Sequence, residues 1–445
     1  METGFPLVML TGPVAAAAVA LAVRGHRRVT VIVGVVAVAL LTLLLFLAAP
    51  GTGLFADNTV GFLGREIVMS PFVRSLFLFI YPAMGLIFLM AWARPMGRAL
   101  VPVGLAVLSP LAAALMITPA GLGAVLLVAA AAVVVPTLHG GKFDAVAPVW
   151  RYFLLMAVAL APILLVASGS MLPTTFPAWP APLLATLILL GGFPFHFWVT
   201  AMVRHTSPIV AALVLGLVQL IVVVFLLSLL DSVPGARATG EFQSAIRWSA
   251  ALTALIGAFA MIRAADWRGV AGGAILLDMG FLLPIVLVPG TDGLMVAIPA
   301  LIARYLALLL VGLGAAGWLP DTQSIRFSRW AASLRPILLV YGLLSLVGLP
   351  LTPGFAGRWA QLSAVGLSGG MWPSLLLVFA LALATAAIMR MARRRLAATA
   401  ESATIEGPFS AFEVGLMVSL AATAALVGLF PGLLIGLAAR MRGLG

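Results

Sequence analysis

Three charged residues stand inside long apolar stretches: Asp278, Arg304 and Arg358. A histidine, His196, sits in the run PFHFW at 194–198. A charge at the centre of a bilayer costs at least a few kcal/mol, so in a membrane these side chains must face the protein interior. Carboxylate and imidazole can take up and release a proton, whereas a guanidinium stays charged. Two arrangements fit. In one, Asp278 and His196 are titratable stations while Arg304 and Arg358 supply fixed charge. In the other, an Asp–Arg pair is a static strut and His196 donates a hydrogen bond that holds a helix break.

The surroundings exclude most other chemistry. The 445 residues are 63% hydrophobic and 9% charged, against about 25% charged in soluble domains. Apolar runs of about 20 residues, enough to span hydrocarbon as helices, recur almost without pause. The fold class expected is an all-α polytopic membrane protein. Cysteine is absent, which removes disulfides, thiol chemistry and Cys-ligated clusters. The histidines His26, His139, His196 and His205 are scattered, which argues against a haem or a metal site. No nucleophile elbow or paired acidic motif is visible, so neither a catalytic residue nor a cofactor is expected. The net charge of +12 comes from arginines in short loops, where topology and anionic lipid explain it. The expected surroundings are a lipid bilayer and not nucleic acid.

About fourteen spans are expected, at 5–23, 29–49, 75–93, 99–118, 121–138, 149–168, 181–199, 207–230, 249–262, 269–287, 293–318, 336–367, 371–391 and 411–438. The loops after odd spans carry the positive charge: Arg24/Arg27/Arg28, Arg94/Arg98, Lys142/Arg151, Arg204, Arg263/Arg268, Arg326/Arg329/Arg335 and Arg393/Arg394/Arg395. Even loops hold little charge or a mixture, such as Asp57, Arg65, Glu66 and Arg74, or Asp231, Arg237 and Glu241. The positive-inside rule then puts both termini on the non-cytoplasmic side of a cell inner membrane. Arg151 and Arg268 read as interfacial anchors that snorkel, and Glu413 as an interfacial charge. Two spans are interrupted near 187–198 and 346–359, by Gly191, Gly192 and Pro194 and by Pro350, Pro353 and Gly354. Paired broken helices in corresponding halves point to an inverted-repeat transporter with a midplane site; the plainer account is that Gly and Pro are common in membrane helices.

The stretch at 190–212, with PFHFW followed by Ser207-Pro208, resembles the P-F-H-x-W…T-P-V-S-A signature of the antiporter-like family. Its members are proton-channel subunits of respiratory complex I, membrane-bound hydrogenases and multisubunit sodium/proton antiporters. Trp150 to Leu155, Asp266 to Phe281, Ala300 to Gly312 and SLVGLPLTPGFAGRW at 345–359 resemble further family motifs in the family's order. The resemblance implies two inverted five-helix repeats with helices 7 and 12 broken. It divides the chain into N-terminal helices (1–120), an antiporter-like core (121–368) and C-terminal helices (369–445).

Family members are thought to pass protons along buried lysines, glutamate and histidine. Here the fifth helix has no acid, and the lysine positions fall on Leu189, on Val218 or Gln219, on Arg304 and on Arg358. A histidine position becomes Asp278, while His196 is kept; Lys142, the only lysine, lies in a loop. The resemblance therefore implies a non-catalytic membrane subunit of a complex I-like or hydrogenase-like redox-driven translocase, with other membrane and peripheral subunits as partners. Its usual proton path is largely lost, and His196, Gln219, Asp278, Arg304 and Arg358 are the remaining candidates. The alternative is an ion or small-anion carrier, for bicarbonate for example, with Arg304 and Arg358 as the anion site.

Overall fold

The computed structural model describes residues 4–47, 59–62, 64–93, 96–118, 120–139, 146–168, 177–315, 329–367, 370–401, 411–441 and 443. Asp57, Arg94, Lys142 and Arg326, on which the loop charges partly rest, lie outside them. The chain forms two compact units, one of residues 1–185, 217–239 and 436–445, the other of 186–216 and 240–435.

In the first unit, α1 (Phe5–Ala22) and α2 (Arg27–Leu47) are followed by an unforeseen antiparallel hairpin. Its strands are β1 (Thr59–Phe62) and β2 (Arg65–Val68), with Thr59 opposite Val68. Next come α3 (Pro71–Ala93), α4 (Leu100–Met116), α5 (Ala120–His139) and α6 (Val146–Ala167). Small residues bring these helices close. The Phe88 ring of α3 fills the space left by two glycines, since a Cβ on Gly34 of α2 or on Gly104 of α4 would lie 2.9 Å from it.

Then α7 (Pro180–Leu189) and α8 (Phe197–His205) form the first interrupted span. The next begins at α9 (Pro208–Ala211), where Ser207 caps the helix by accepting from the Ile209 N–H and Pro208 fills the first turn. It passes through a π-helical turn at Ala212–Val218 into α10 (Gln219–Asp231), and α11 (Pro234–Ala238) follows.

The second unit is built on α12 (Gly240–Arg263) and α13 (Trp267–Leu282), the latter capped by Asp266 and continued as a 3-10 turn to Leu287. Their backbones nearly touch: a Cβ on Gly257 would lie 2.6 Å from the Gly273 carbonyl oxygen, and one on Gly280 2.7 Å from that of Ala250. Around them stand α14 (Gly290–Gly314), α15 (Arg329–Val347), α16 (Gly354–Leu367), α17 (Met371–Glu401) and α18 (Ala411–Leu429); α19 (Gly432–Met441) follows, and its residues from 436 on belong to the first unit.

Among the described residues, eleven helices are long and apolar enough to cross a membrane, and four shorter apolar helices accompany them. The chain is thus an all-α polytopic membrane protein. Three expected boundaries are corrected. The span at 249–262 starts at Gly240, because Glu241 suits the positive end of the helix dipole and Arg247 donates to Gln243 one turn back at 3.1 Å. The span at 371–391 continues to Glu401, since ARRRLAATAE contains no helix breaker. The span at 411–438 is two helices, because Pro431 lacks the N–H a continuous helix needs.

Candidate functional site

The second helix break is closed by a charged side chain. α15 stops at Val347 where Gly348 turns left-handed, at φ +81°, a conformation glycine adopts without a Cβ penalty. A helix that ends inside a membrane leaves its last carbonyls without N–H donors. Arg358, in the second turn of α16, supplies them: its Nε donates to the Val347 carbonyl at 3.1 Å and its Nη2 to that of Leu346 at 3.0 Å. The cation also suits the negative end of the α15 dipole.

The same guanidinium reaches further. Nη2 donates to Asp278 Oδ1 at 2.8 Å, Nη1 to Gln361 Oε1 at 2.9 Å, and the group lies 4.1 Å from the Phe281 ring centre. On the other carboxylate oxygen of Asp278, Arg304 of α14 donates through Nε. Arg304 Nη1 faces the Leu215 carbonyl in the π-helical turn at 3.5 Å and the Met279 sulfur at 3.3 Å. Arg304, Arg358 and Asp278 are 2%, 3% and 6% exposed, so the three form a buried centre with net charge +1. Arg304 Nη2 and Gln361 Nε2 are buried there without a hydrogen-bond partner among the described residues. Asp278 is therefore paired to both arginines, and the centre offers more donors than acceptors.

The loop between the half-helices is pinned at several points. Tyr341 donates to the Leu351 carbonyl at 2.8 Å and Thr352 to that of Leu349 at 2.6 Å. Leu351 holds φ at +66°, a strained backbone for a branched residue. Pro350 is exposed and Pro353 buried within this loop, and the Gly354 N–H donates to Ser345 Oγ at 3.1 Å.

At the first break Gly191 takes φ +61°, the Gly192 N–H bonds the Leu187 carbonyl at 2.8 Å, and the Phe193–Pro194 peptide is cis. Two hydroxyls of α12 hold it: Thr253 Oγ1 accepts from the Phe193 N–H at 2.8 Å, and Ser249 donates to the Phe193 carbonyl at 2.7 Å. His196, half-buried, precedes the first residue of α8 without a side-chain bond to its backbone, and its ring is stacked 6.0 Å from that of Phe193. Ser249 and Thr253 thus hold the Phe193 backbone, and the His196 ring hydrogen-bonds the Pro194 backbone within the same break. Gln219 is buried at the start of α10, in the other unit.

Replacing Thr253 by Val strands the Phe193 N–H and is expected to cost about 1 kcal/mol in detergent thermal unfolding. Thr385→Val serves as the control, because that hydroxyl only bonds the Leu381 carbonyl of its own helix. Equal melting of the two variants would show that Thr253 does not hold the break.

Several partners were not read from the sequence. Gln361 and Phe281 lie three residues beyond Arg358 and Asp278, so each stands beside its charge on the same helix face. Ser249 and Thr253 are hydroxyls one turn apart on an apolar helix. Glu413, expected at the interface, is instead buried and ion-paired with Arg335 at 3.2 Å. Arg151 and Arg268 are exposed, the latter 5.5 Å from the Trp267 ring centre, as suits anchors.

Residues 179–385 match a family described as the NADH:quinone oxidoreductase/Mrp antiporter transmembrane family. The chain is 31% identical over 324 residues to NADH-quinone oxidoreductase subunit N 1 of Solidesulfovibrio magneticus, covering 66% of this chain and 68% of that one. Two solved structures share the fold. A chain of respiratory complex I from Thermus thermophilus superposes with a TM-score of 0.71 and 22% identity, over 99% of this chain and all of that one. A chain of the membrane-bound sulfane sulfur reductase, an archaeal respiratory complex, gives a TM-score of 0.76 at 13% identity, over 99% and 97%.

Proposed function

Because the chain belongs to the antiporter-like family of NADH:quinone oxidoreductase and Mrp antiporter membrane subunits, we propose that it seals one proton route of a redox-driven assembly with a fixed positive charge. It is a multi-pass membrane subunit similar to complex I subunit N and related to subunits of other respiratory membrane complexes. It works beside other membrane and peripheral subunits that carry the electron chemistry, in a cell inner membrane with both termini on the non-cytoplasmic side.

The observation that carries this reading is the buried Arg304–Asp278–Arg358 centre. A proton relay needs groups that change charge at modest cost. Guanidiniums do not, and both oxygens of the one carboxylate among them already accept from the two arginines. A net positive centre in low dielectric repels hydronium and other cations, much as an arginine in a pore excludes them. The family's lysine positions at Arg304 and Arg358 thereby become a barrier and a helix clamp. A small-anion carrier draws less support, because Asp278 already takes up both guanidiniums where the anion would bind.

The test is redox-driven proton uptake in vesicles carrying the purified assembly, measured per quinone reduced, with His196→Ala and Gln219→Leu. Neither variant touches the ionic centre. The ratio is expected to stay at the wild-type value. A relay through this subunit would carry its own share of the protons, so a fall of the ratio by that share in either variant means that protons do pass through this subunit. A chain that purifies alone and conducts in vesicles without partners also overturns the proposal.

A further inference from the structure

At one end of the first unit a cavity of about 290 Å³ opens where α1 stops, α2 starts, α3 stops and α4 starts. Three arginines rim it, Arg24, Arg27 and Arg98, and Val31, Ala91 and Val101 form an apolar wall. No carboxylate is among its lining residues. Arg27 is already engaged, with Nη2 donating to the Ala91 and Trp92 carbonyls that end α3, both at 2.8 Å. Arg24 and Arg98 are exposed at the rim.

We propose that this cavity binds the phosphate headgroup of an anionic phospholipid. Arg24 and Arg98, exposed at the rim of a hollow that no carboxylate lines, call for an anion, and basic pockets between membrane helices suit lipid headgroups. The volume is at the low end of ligand pockets, which begin near about 300 Å³. It admits a glycerophosphate headgroup and leaves the acyl chains outside. Beside the cavity the outer faces of α2 and α3 expose Val29, Ile32 and Trp92, apolar surface for those chains with an indole of the kind that sits at headgroup level. Inorganic phosphate shares the headgroup's charge but gains nothing from this wall. Both arginine-bearing loops belong to the set that the positive-inside rule places toward the anionic leaflet.

The probe is phosphatidylglycerol, titrated onto the delipidated full chain in neutral detergent and counted by native mass spectrometry, with phosphatidylcholine as the reference. Wild type is expected to retain one phosphatidylglycerol in preference to phosphatidylcholine. At about 1 kcal/mol per basic residue, Arg24→Gln with Arg98→Gln weakens that binding by about 25-fold. Arg24→Lys with Arg98→Lys keeps the charge and restores most of it, which separates lost binding from lost folding. Removing two exposed arginines that do not line the cavity, by Arg28→Gln with Arg204→Gln, is expected to change nothing. Equal retention by the two glutamine pairs, or no preference over phosphatidylcholine, overturns the proposal. Displacement by millimolar inorganic phosphate would make this a free-phosphate site and overturn the lipid assignment.

Discussion

Asp278→Asn is expected to be the most damaging single change in the chain. It removes the one carboxylate at the centre among the described residues and leaves Arg304 and Arg358, both under 4% exposed, as two cations without it. Deleting one partner of a buried ion pair costs about 3–5 kcal/mol, a large part of the total stability of a typical domain. The asparagine can still accept one hydrogen bond, so the loss is mainly electrostatic. Thermal unfolding of the purified chain in detergent measures it. The diagnostic is a second substitution: Asp278→Asn with Arg304→Met returns the centre to its net charge of +1, carried by Arg358 alone. If burial of unbalanced charge is the cause, this double variant melts well above Asp278→Asn alone. A double variant no better than the single would mean that Asp278 acts through packing or through a bound group, and the account of the centre as an ion-paired clamp would fail.

Gly354→Ala is expected to come second. Gly354 opens α16, and a Cβ there would fall far inside contact distance of the Ser345 carbonyl oxygen and 2.8 Å from its carbon. Backbone cannot rotate away as a side chain can, so the two half-helices must move apart. Overpacking costs about 1–3 kcal/mol and occasionally more, and here the displacement also lengthens the Gly354 N–H to Ser345 Oγ bond and pulls Arg358 from the carbonyls it caps. The change should therefore destabilise the chain by about 3 kcal/mol and loosen α15, seen as faster hydrogen exchange at Leu346 and Val347. Gly415→Ala is the comparison, since a Cβ there meets nothing within 4 Å. Wild-type exchange at Leu346 and Val347 in Gly354→Ala would show that the break tolerates the extra atom and that the close approach is not needed.

The breaks themselves were legible because their causes are local. Glycine at 191 and 348 permits positive φ, and proline at 194, 350 and 353 removes backbone donors, so a reader of the chain can place both interruptions. The membrane class was legible too, since 63% hydrophobic residues cannot be hidden in a soluble fold of this size. The cost of burying charge said that Asp278, Arg304 and Arg358 must face inward. What it left open was whether they met one another, because they are separated by 26 and 54 residues and belong to three helices.

Helix ends were misread where charge lay on a helix. Glu241 and Arg393 looked like loop residues by charge alone, yet α12 and α17 carry them, because a helix end can be polar when it leaves the hydrocarbon. Glu413 was misplaced for the converse reason: its partner Arg335 is 78 residues away, and nothing near either residue announces the pair.

The sequence by itself determined the solvent this chain requires, the positions of its two broken helices and the set of charges that had to be buried. Those follow from transfer energies and backbone stereochemistry, which act residue by residue. Only the tertiary structure decided that Asp278 is shared by two arginines, that Arg358 caps the carbonyls of the half-helix before it, and that Ser249 and Thr253 hold the other break. Those depend on which helix faces which, a choice set by glycine-lined contacts such as that of Gly257 with Gly273, and such contacts have no signature within a single helix.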